Sequence, residues 1–148
     1  MNPTRILPDL QCSLLCEEVR QETNGSFFLV GVLDFIRVPK LPVTAFKLSV
    51  FNRWTAGMGQ FTETVRLMGP DQSTVLRKAE MRFAMKDPTL NATTVTLFAN
   101  VEFATAGAYY IEVCVDDVMK VRFPVHILLV TPPNPNPTPN PAPSDSGS

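Results

Sequence analysis

The chain has 148 residues, of which 45% are hydrophobic, and a formal net charge of −1. This length fits a single domain whose apolar core needs neither metals nor disulfides for stability. No segment of the sequence is strongly basic, which disfavours nucleic acid as a partner, because affinity for nucleic acid rests largely on clustered Lys and Arg.

We expect neither a signal peptide nor a membrane span in this sequence. The first nine residues carry no apolar run long enough for the core of a signal peptide. The apolar stretch at 27–38 is interrupted by Asp34 and Arg37, so it does not read as a membrane span. We therefore expect a cytoplasmic protein that does not bind membranes. The three cysteines, an odd number, fit free thiols better than a disulfide framework.

The first element, from Leu10 to Arg20, is ambiguous. Apolar residues alternate along it as in a strand, but Leu10, Leu14, Leu15 and Val19 also share one face of a helix. The dipeptide Asn24-Gly25 follows, and this pair between apolar runs is a strong hairpin signal, because both residues tolerate positive φ.

The next strand, Ser26 to Val38, is apolar on both faces, although a sandwich strand needs only one buried face. One explanation is a central strand whose second face is covered by the N-terminal segment or a loop. The other is an exposed apolar patch that meets a partner or a second copy. The candidate interface residues are Phe27, Leu29, Leu33 and Phe35.

Three further strands with one apolar face each occupy the middle of the chain. We expect a strand at 44–55 with Phe46, Leu48, Val50 and Trp54 facing inward. A strand at 60–68 turns Phe61, Val65 and Leu67 to the core, and Gly69-Pro70-Asp71-Gln72 forms the turn that follows. In the strand at 74–85, the alternating charges Lys78, Glu80 and Arg82 indicate a solvated face.

The stretch from Thr93 to Val130 predicts three successive antiparallel strands. Odd-numbered apolar residues recur at nearly every second position, in the rows Val95 to Phe103, Tyr109 to Val115 and Met119 to Leu129. Turns are expected at Ala106-Gly107 and Asp116-Asp117. Pro124 lies inside the last strand and cannot donate to a ladder, so this strand should be an edge or carry a bulge.

Together these elements predict an all-β fold, an antiparallel β-sandwich of about seven to nine strands over residues 9–130. The remaining residues, 131–148, include seven prolines and carry no large apolar side chain. We expect them to form a disordered, extended Pro/Asn-rich tail.

Candidate catalytic and metal-binding residues are sparse. Cys12, Cys16, Cys114 and His126 are the groups an accessory enzyme or metal site could use, but their spacing proposes no convergent arrangement. A carbohydrate-binding module would need exposed aromatics, for which Tyr110 and Phe98 are the candidates by parity. We predict no catalytic residues, no cofactor and no metal.

A family resemblance adds to this interpretation. The run Phe103-Ala104-Thr105-Ala106-Gly107-Ala108-Tyr109-Tyr110-Ile111-Glu112-Val113, followed by a turn and Arg122-Phe123-Pro124-Val125, looks like the closing hairpin of an uncharacterised group of small bacterial immunoglobulin-like sandwich proteins, catalogued as a domain of unknown function. Leu14 to Arg20, Gly31 to Asp34 and Gly69-Pro70-Asp71 are similar to the same group, and the likeness covers residues 9–130.

The resemblance implies an immunoglobulin-like fold and a bacterial origin, and no activity. Gly107-Ala108-Tyr109 resembles the Gly-x-Tyr turn of many immunoglobulin-like domains, in which the Gly turns the corner and the Tyr anchors it. The disulfide of antibody domains is absent. We therefore predict a non-enzymatic protein-binding or assembly module, which meets an unknown protein or a second copy of itself through the segment 26–38 or an edge strand.

Overall fold

The structure is a computed structural model that describes residues 4–130, and the predicted tail at 131–148 lies outside this range. Over the described residues the chain forms nine strands and no helix: β1 (Asp9–Gln21), β2 (Phe27–Val32), β3 (Phe35–Val38), β4 (Val43–Thr55), β5 (Gly59–Met68), β6 (Val75–Met85), β7 (Ala92–Phe103), β8 (Gly107–Val115) and β9 (Val118–Leu129). The segment 10–20 is therefore a strand. No helix in the described part of the chain is long and apolar enough to span a membrane.

The strands form two sheets, one with the order β2-β1-β4-β7 and the other with the order β3-β9-β8-β5-β6. Neighbouring strands are antiparallel except β3, which runs parallel to β9. Alternate residues of both sheets fill one core, which includes Leu15, Val50, Trp54, Val65 and Val113. The prediction of an all-β, sandwich-like fold is confirmed.

The predicted single strand at 26–38 is wrong, because the chain changes sheets within it. The Leu33 amide donates to the carbonyl of Leu15 (2.7 Å) in the four-stranded sheet, whereas the carbonyl of Asp34 accepts from the amide of His126 (3.0 Å) in the five-stranded sheet. β2 and β3 thus belong to different layers. Because this segment contributes first to one sheet and then to the other, apolar residues occur at both its odd-numbered and its even-numbered positions.

Along β7 and its neighbour β4, the residues that face the core change between odd and even numbers partway along the strand. This change makes two of the predictions wrong. Asn100 has φ +54°, and the inward row of β7 changes there from even residues such as Phe98 to odd residues such as Val101. On the facing part of β4, Phe46 is 81% exposed instead of buried. The odd-numbered row of β7 is therefore not continuous, and Thr94, Thr96 and Phe98 point into the core.

Two of the predicted turns are present with the expected backbone. Asp116 and Asp117 have φ values of +46° and +67°, which is the two-residue type I′ geometry that joins β8 to β9. In the loop after β5, the Asp71 carboxylate accepts from the amides of Ser73 (2.9 Å) and Thr74 (2.8 Å). A hydrogen bond from the Thr74 hydroxyl, together with these two amides, lowers the pKa of Asp71 to about 2.

At Pro124, strand β9 pairs with a neighbouring strand on one side only. It pairs with Tyr110 of β8, while β3 covers β9 only from His126 to Leu129. The edge of β9 around Pro124 is therefore not paired with another strand. The prediction of an edge strand holds for this half of β9 alone.

Residues 17–31, which we call the flap, fold back over the outer face of the four-stranded sheet. In β1, Leu14 pairs with Phe51 and Gln21 pairs with Phe27, so an extended β1 would hold Phe51 and Phe27 about 23 Å apart. Their ring centroids are 5.7 Å apart. The hairpin must therefore bend, and it does so at Gly31, whose φ is +66°.

Candidate functional site

The outer surface of β2 is an exposed apolar row on a sheet edge. Phe28, Val30 and Val32 are 51%, 39% and 56% exposed, and β2 contains no charged residue. As the first strand in the order β2-β1-β4-β7, β2 has a neighbour only on the β1 side. Its other side presents unpaired backbone N–H and C=O groups, which can pair with another strand.

The other edges carry features that discourage pairing. β6 has the charged residues Lys78, Glu80 and Arg82 on its outer face. At β7, the Arg77 guanidinium donates to the carbonyls of Ala99 (2.9 Å) and Asn100 (2.8 Å). β3 is only four residues long. Within residues 4–130, β2 is thus the edge with the least protection against a second chain.

The four candidate interface residues lie in three different environments. Phe27 and Leu29 lie on the underside of the flap, facing a cleft of about 420 Å³ whose walls include Phe51 and Arg53. Leu33 packs against the core. Phe35 is exposed and its ring stacks on His126, with centroids 5.1 Å apart. The exposed row on β2 has the opposite parity to Phe27 and Leu29, because the flap covers the odd-numbered residues.

An ion pair holds the flap against β4. Lys47 Nζ lies 2.8 Å from Glu18 Oε1, and Arg20 Nε donates to Glu18 Oε2 at 2.7 Å. The hydrogen bonds from Lys47 and then Arg20 lower the pKa of Glu18. All three side chains are partly exposed, so the contacts orient the flap more than they stabilise the fold.

The thiols and the imidazole do not converge, because His126 pairs with Ala108 at one end of β8 and Cys114 lies near the other end. Cys12 and Cys16 are on the outward parity of β1, and burial raises the pKa of Cys16. Cys114 is on the outer face of the opposite sheet, where Arg66 Nη1 lies 3.4 Å from its Sγ. Among the described residues, no three His, Cys, Asp or Glu side chains form a group that could hold a metal ion.

The two aromatic candidates for a carbohydrate surface do not share a face. Phe98 is buried in the core, because the inward parity of β7 is even before Asn100. Tyr110 lies on the outer face of β8, with the Arg122 guanidinium 5.8 Å from its ring centroid. The expectation that Phe98 is exposed is wrong.

Comparison with known families identifies the chain. A family model described as a family of unknown function (DUF6941) matches residues 11–128. The chain belongs to the DUF6941 family. This match spans β1 to β9 almost completely, and it confirms the resemblance to an uncharacterised family. No curated protein matches the chain.

A polar cluster lies inside the core of this DUF6941 protein. The Glu63 side chain is 1% exposed, and its Oε2 atom accepts three hydrogen bonds: from Trp54 Nε1 (2.7 Å), from Asn52 Nδ2 (3.2 Å) and from the Thr94 hydroxyl. β5 supplies the carboxylate, and β4 and β7 of the other sheet supply the donors. The cluster therefore joins the two sheets through hydrogen bonds.

The sequence contained a signal for this cluster. Glu63 has the same parity as Phe61, Val65 and Leu67, the residues predicted to face the core from the same strand. A carboxylate on that row had to be buried, and buried carboxylates need donors. Trp54 was predicted to be buried, and a buried indole N–H usually has an acceptor. The partner on β7, Thr94, was hidden by the parity reversal at Asn100.

Proposed function

We propose that this protein is a non-enzymatic protein-binding or assembly module that self-associates by pairing β2 of one copy with β2 of a second. The observation that carries the proposal is the unpaired, uncharged edge of β2 with its row of Phe28, Val30 and Val32. Exposed apolar edges of this kind are templates for strand addition.

Antiparallel pairing suits two identical strands. A twofold axis would bring the same six-residue strand from each copy together, so no second complementary surface is needed. The backbone groups on the free side of β2 would gain partners. The two apolar rows would lie side by side on one face of a joined eight-stranded sheet, made from the two four-stranded sheets, and would cover part of one another.

Light scattering coupled to size-exclusion chromatography, over a series of protein concentrations, tests the proposal. Val30→Lys places a charge at the centre of the exposed row. Val75→Lys, at an exposed valine on β6, is the matched control. We expect the wild type and Val75→Lys to dimerise as concentration rises and Val30→Lys to remain monomeric. A monomeric wild type, or equal dimerisation of both variants, would contradict the proposal.

We also propose that the sandwich is immunoglobulin-like. Strand β3 parallel to β9, and the order β9-β8-β5 beside it, correspond to the arrangement in which the first strand of such domains changes sheets. Tyr109 near the start of β8 donates from its hydroxyl to the carbonyl of Thr105 at 2.7 Å. This contact has the form of the tyrosine corner of immunoglobulin-like domains.

The bacterial origin, the cytoplasmic location and the lack of enzymatic activity stay predictions. The separation of Cys12 and Cys16 from Cys114 by the thickness of the sandwich supports a binding module over a thiol-based enzyme.

A further inference from the structure

Four buried side-chain polar atoms lack a hydrogen-bond partner among residues 4–130; one, Arg53 Nε, belongs to a residue that lines the cleft under the flap, and the other three lie on the core side of the sheets. These three are Ser13 Oγ, Asn52 Oδ1 and Glu63 Oε1. Ser13 and Asn52 are cross-strand partners in the four-stranded sheet. Asn52 also donates through Nδ2 to Glu63 of the opposite sheet at 3.2 Å, so the three side chains belong to one neighbourhood.

The chemistry of these atoms defines what can satisfy them. The carboxylate oxygen Oε1 and the amide oxygen Oδ1 accept hydrogen bonds, whereas the Ser13 hydroxyl can donate one. A single partner that served all three atoms would donate two hydrogen bonds and accept one. Water has this capacity, and buried waters typically make about three hydrogen bonds to polar groups that have no other partner.

We propose that Ser13, Asn52 and Glu63 form a binding site for one water molecule that bridges the two sheets. The water donates to Glu63 Oε1 and Asn52 Oδ1 and accepts from Ser13 Oγ. A divalent cation fits less well, because calcium takes about six to eight oxygen ligands and the cluster offers three free oxygens. The bridge completes the polar contact between the sheets that Glu63 Oε2 begins.

The indole proton of Trp54 provides the probe. Trp54 is the only tryptophan in the chain, so its indole resonance is unambiguous, and its Nε1 lies 2.7 Å from Glu63 Oε2. A water held on Glu63 Oε1 is close enough to give a nuclear Overhauser effect to this proton. We expect a cross-peak between Trp54 Hε1 and a long-lived water in the wild-type protein.

Two variants locate the water. Asn52→Leu removes the acceptor Oδ1, so the cross-peak should disappear. Thr94→Val removes only a donor to Oε2 and leaves the three proposed ligands intact, so the cross-peak should persist. If Asn52→Leu does not fold, the wild type and Thr94→Val still decide, because both must show the cross-peak.

A crystal structure at high resolution gives the second readout. We expect one density peak within hydrogen-bond distance of Ser13 Oγ, Asn52 Oδ1 and Glu63 Oε1. Two results would overturn the proposal: a wild-type protein without the cross-peak, or a map in which Ser13 Oγ donates directly to one of the two acceptors or the three oxygens hold a metal ion at coordination distance.

Discussion

Replacing Thr94 with valine should measure how much the buried Glu63 cluster contributes to stability. The change keeps the shape of the side chain and removes the hydroxyl that donates to Glu63 Oε2, leaving Asn52 and Trp54 as donors. Hydrogen bonds to charged groups contribute about 1.5–3 kcal/mol, so we expect the free energy of unfolding to fall by about 2 kcal/mol. With a urea m-value of about 2 kcal/mol/M, the midpoint should fall by about 1 M.

Thr96→Val is the matched control for this experiment. Thr96 lies two residues further along β7, on the same inward row, and is also buried, but its hydroxyl does not bind Glu63. Its substitution should change the free energy of unfolding by no more than about 0.5 kcal/mol. Equal urea midpoints for the two variants would refute the reasoning, because the loss could then not be assigned to the hydrogen bond with Glu63.

Three further predictions concern the turns and the flap. Tyr109→Phe removes the hydroxyl that donates to the Thr105 carbonyl and should lower the free energy of unfolding by about 1 kcal/mol, whereas Tyr110→Phe should change it by less than about 0.5 kcal/mol in urea titrations. The folded-state pKa of Asp71 is about 2, below its ordinary value of 3.8, so its contribution to stability is present above pH 4 and is lost as the pH falls through 2. The difference in urea midpoint between wild type and Asp71→Asn should therefore shrink as the pH falls over that range. A difference that stays constant would contradict the assignment. Gly31→Ala places a Cβ atom 2.7 Å from the Glu17 carboxyl group at a backbone φ of +66°, and it should lower the free energy of unfolding by about 1–2 kcal/mol. Gly25→Ala should lower it less, because φ is also positive there but no atom lies near the added Cβ. Thermal unfolding of the two variants compares them.

The fold class could be predicted because it depends on local regularities. Period-two alternation and turn residues such as Asp116-Asp117 and Asn24-Gly25 mark strands and hairpins without knowledge of the partner strand. The same signals could not show where the chain changes sheets. Leu33 and Asp34 lie side by side in sequence, and only their partners, Leu15 and His126, reveal that they belong to different layers.

The positions of the candidate site residues depended on backbone geometry that the sequence does not specify. A single residue with positive φ, Asn100, exchanges inward and outward positions along β7, which buries Phe98 and Thr94. On β2, the flap holds Phe27 against Phe51 and half-buries it, whereas Phe28 stays exposed. The apolar residues of 26–38 therefore indicated a candidate interface, but the alternation of odd and even positions could not show which of them are exposed.

Hydrogen exchange of the β2 backbone as a function of protein concentration tests most directly whether β2 is an association surface. We predict that the amides of Phe27–Val32 that point away from β1 gain protection as concentration rises, while those on the free side of the β6 edge, Val75–Met85, exchange at a constant rate. Exchange in β2 that does not depend on concentration would contradict the account.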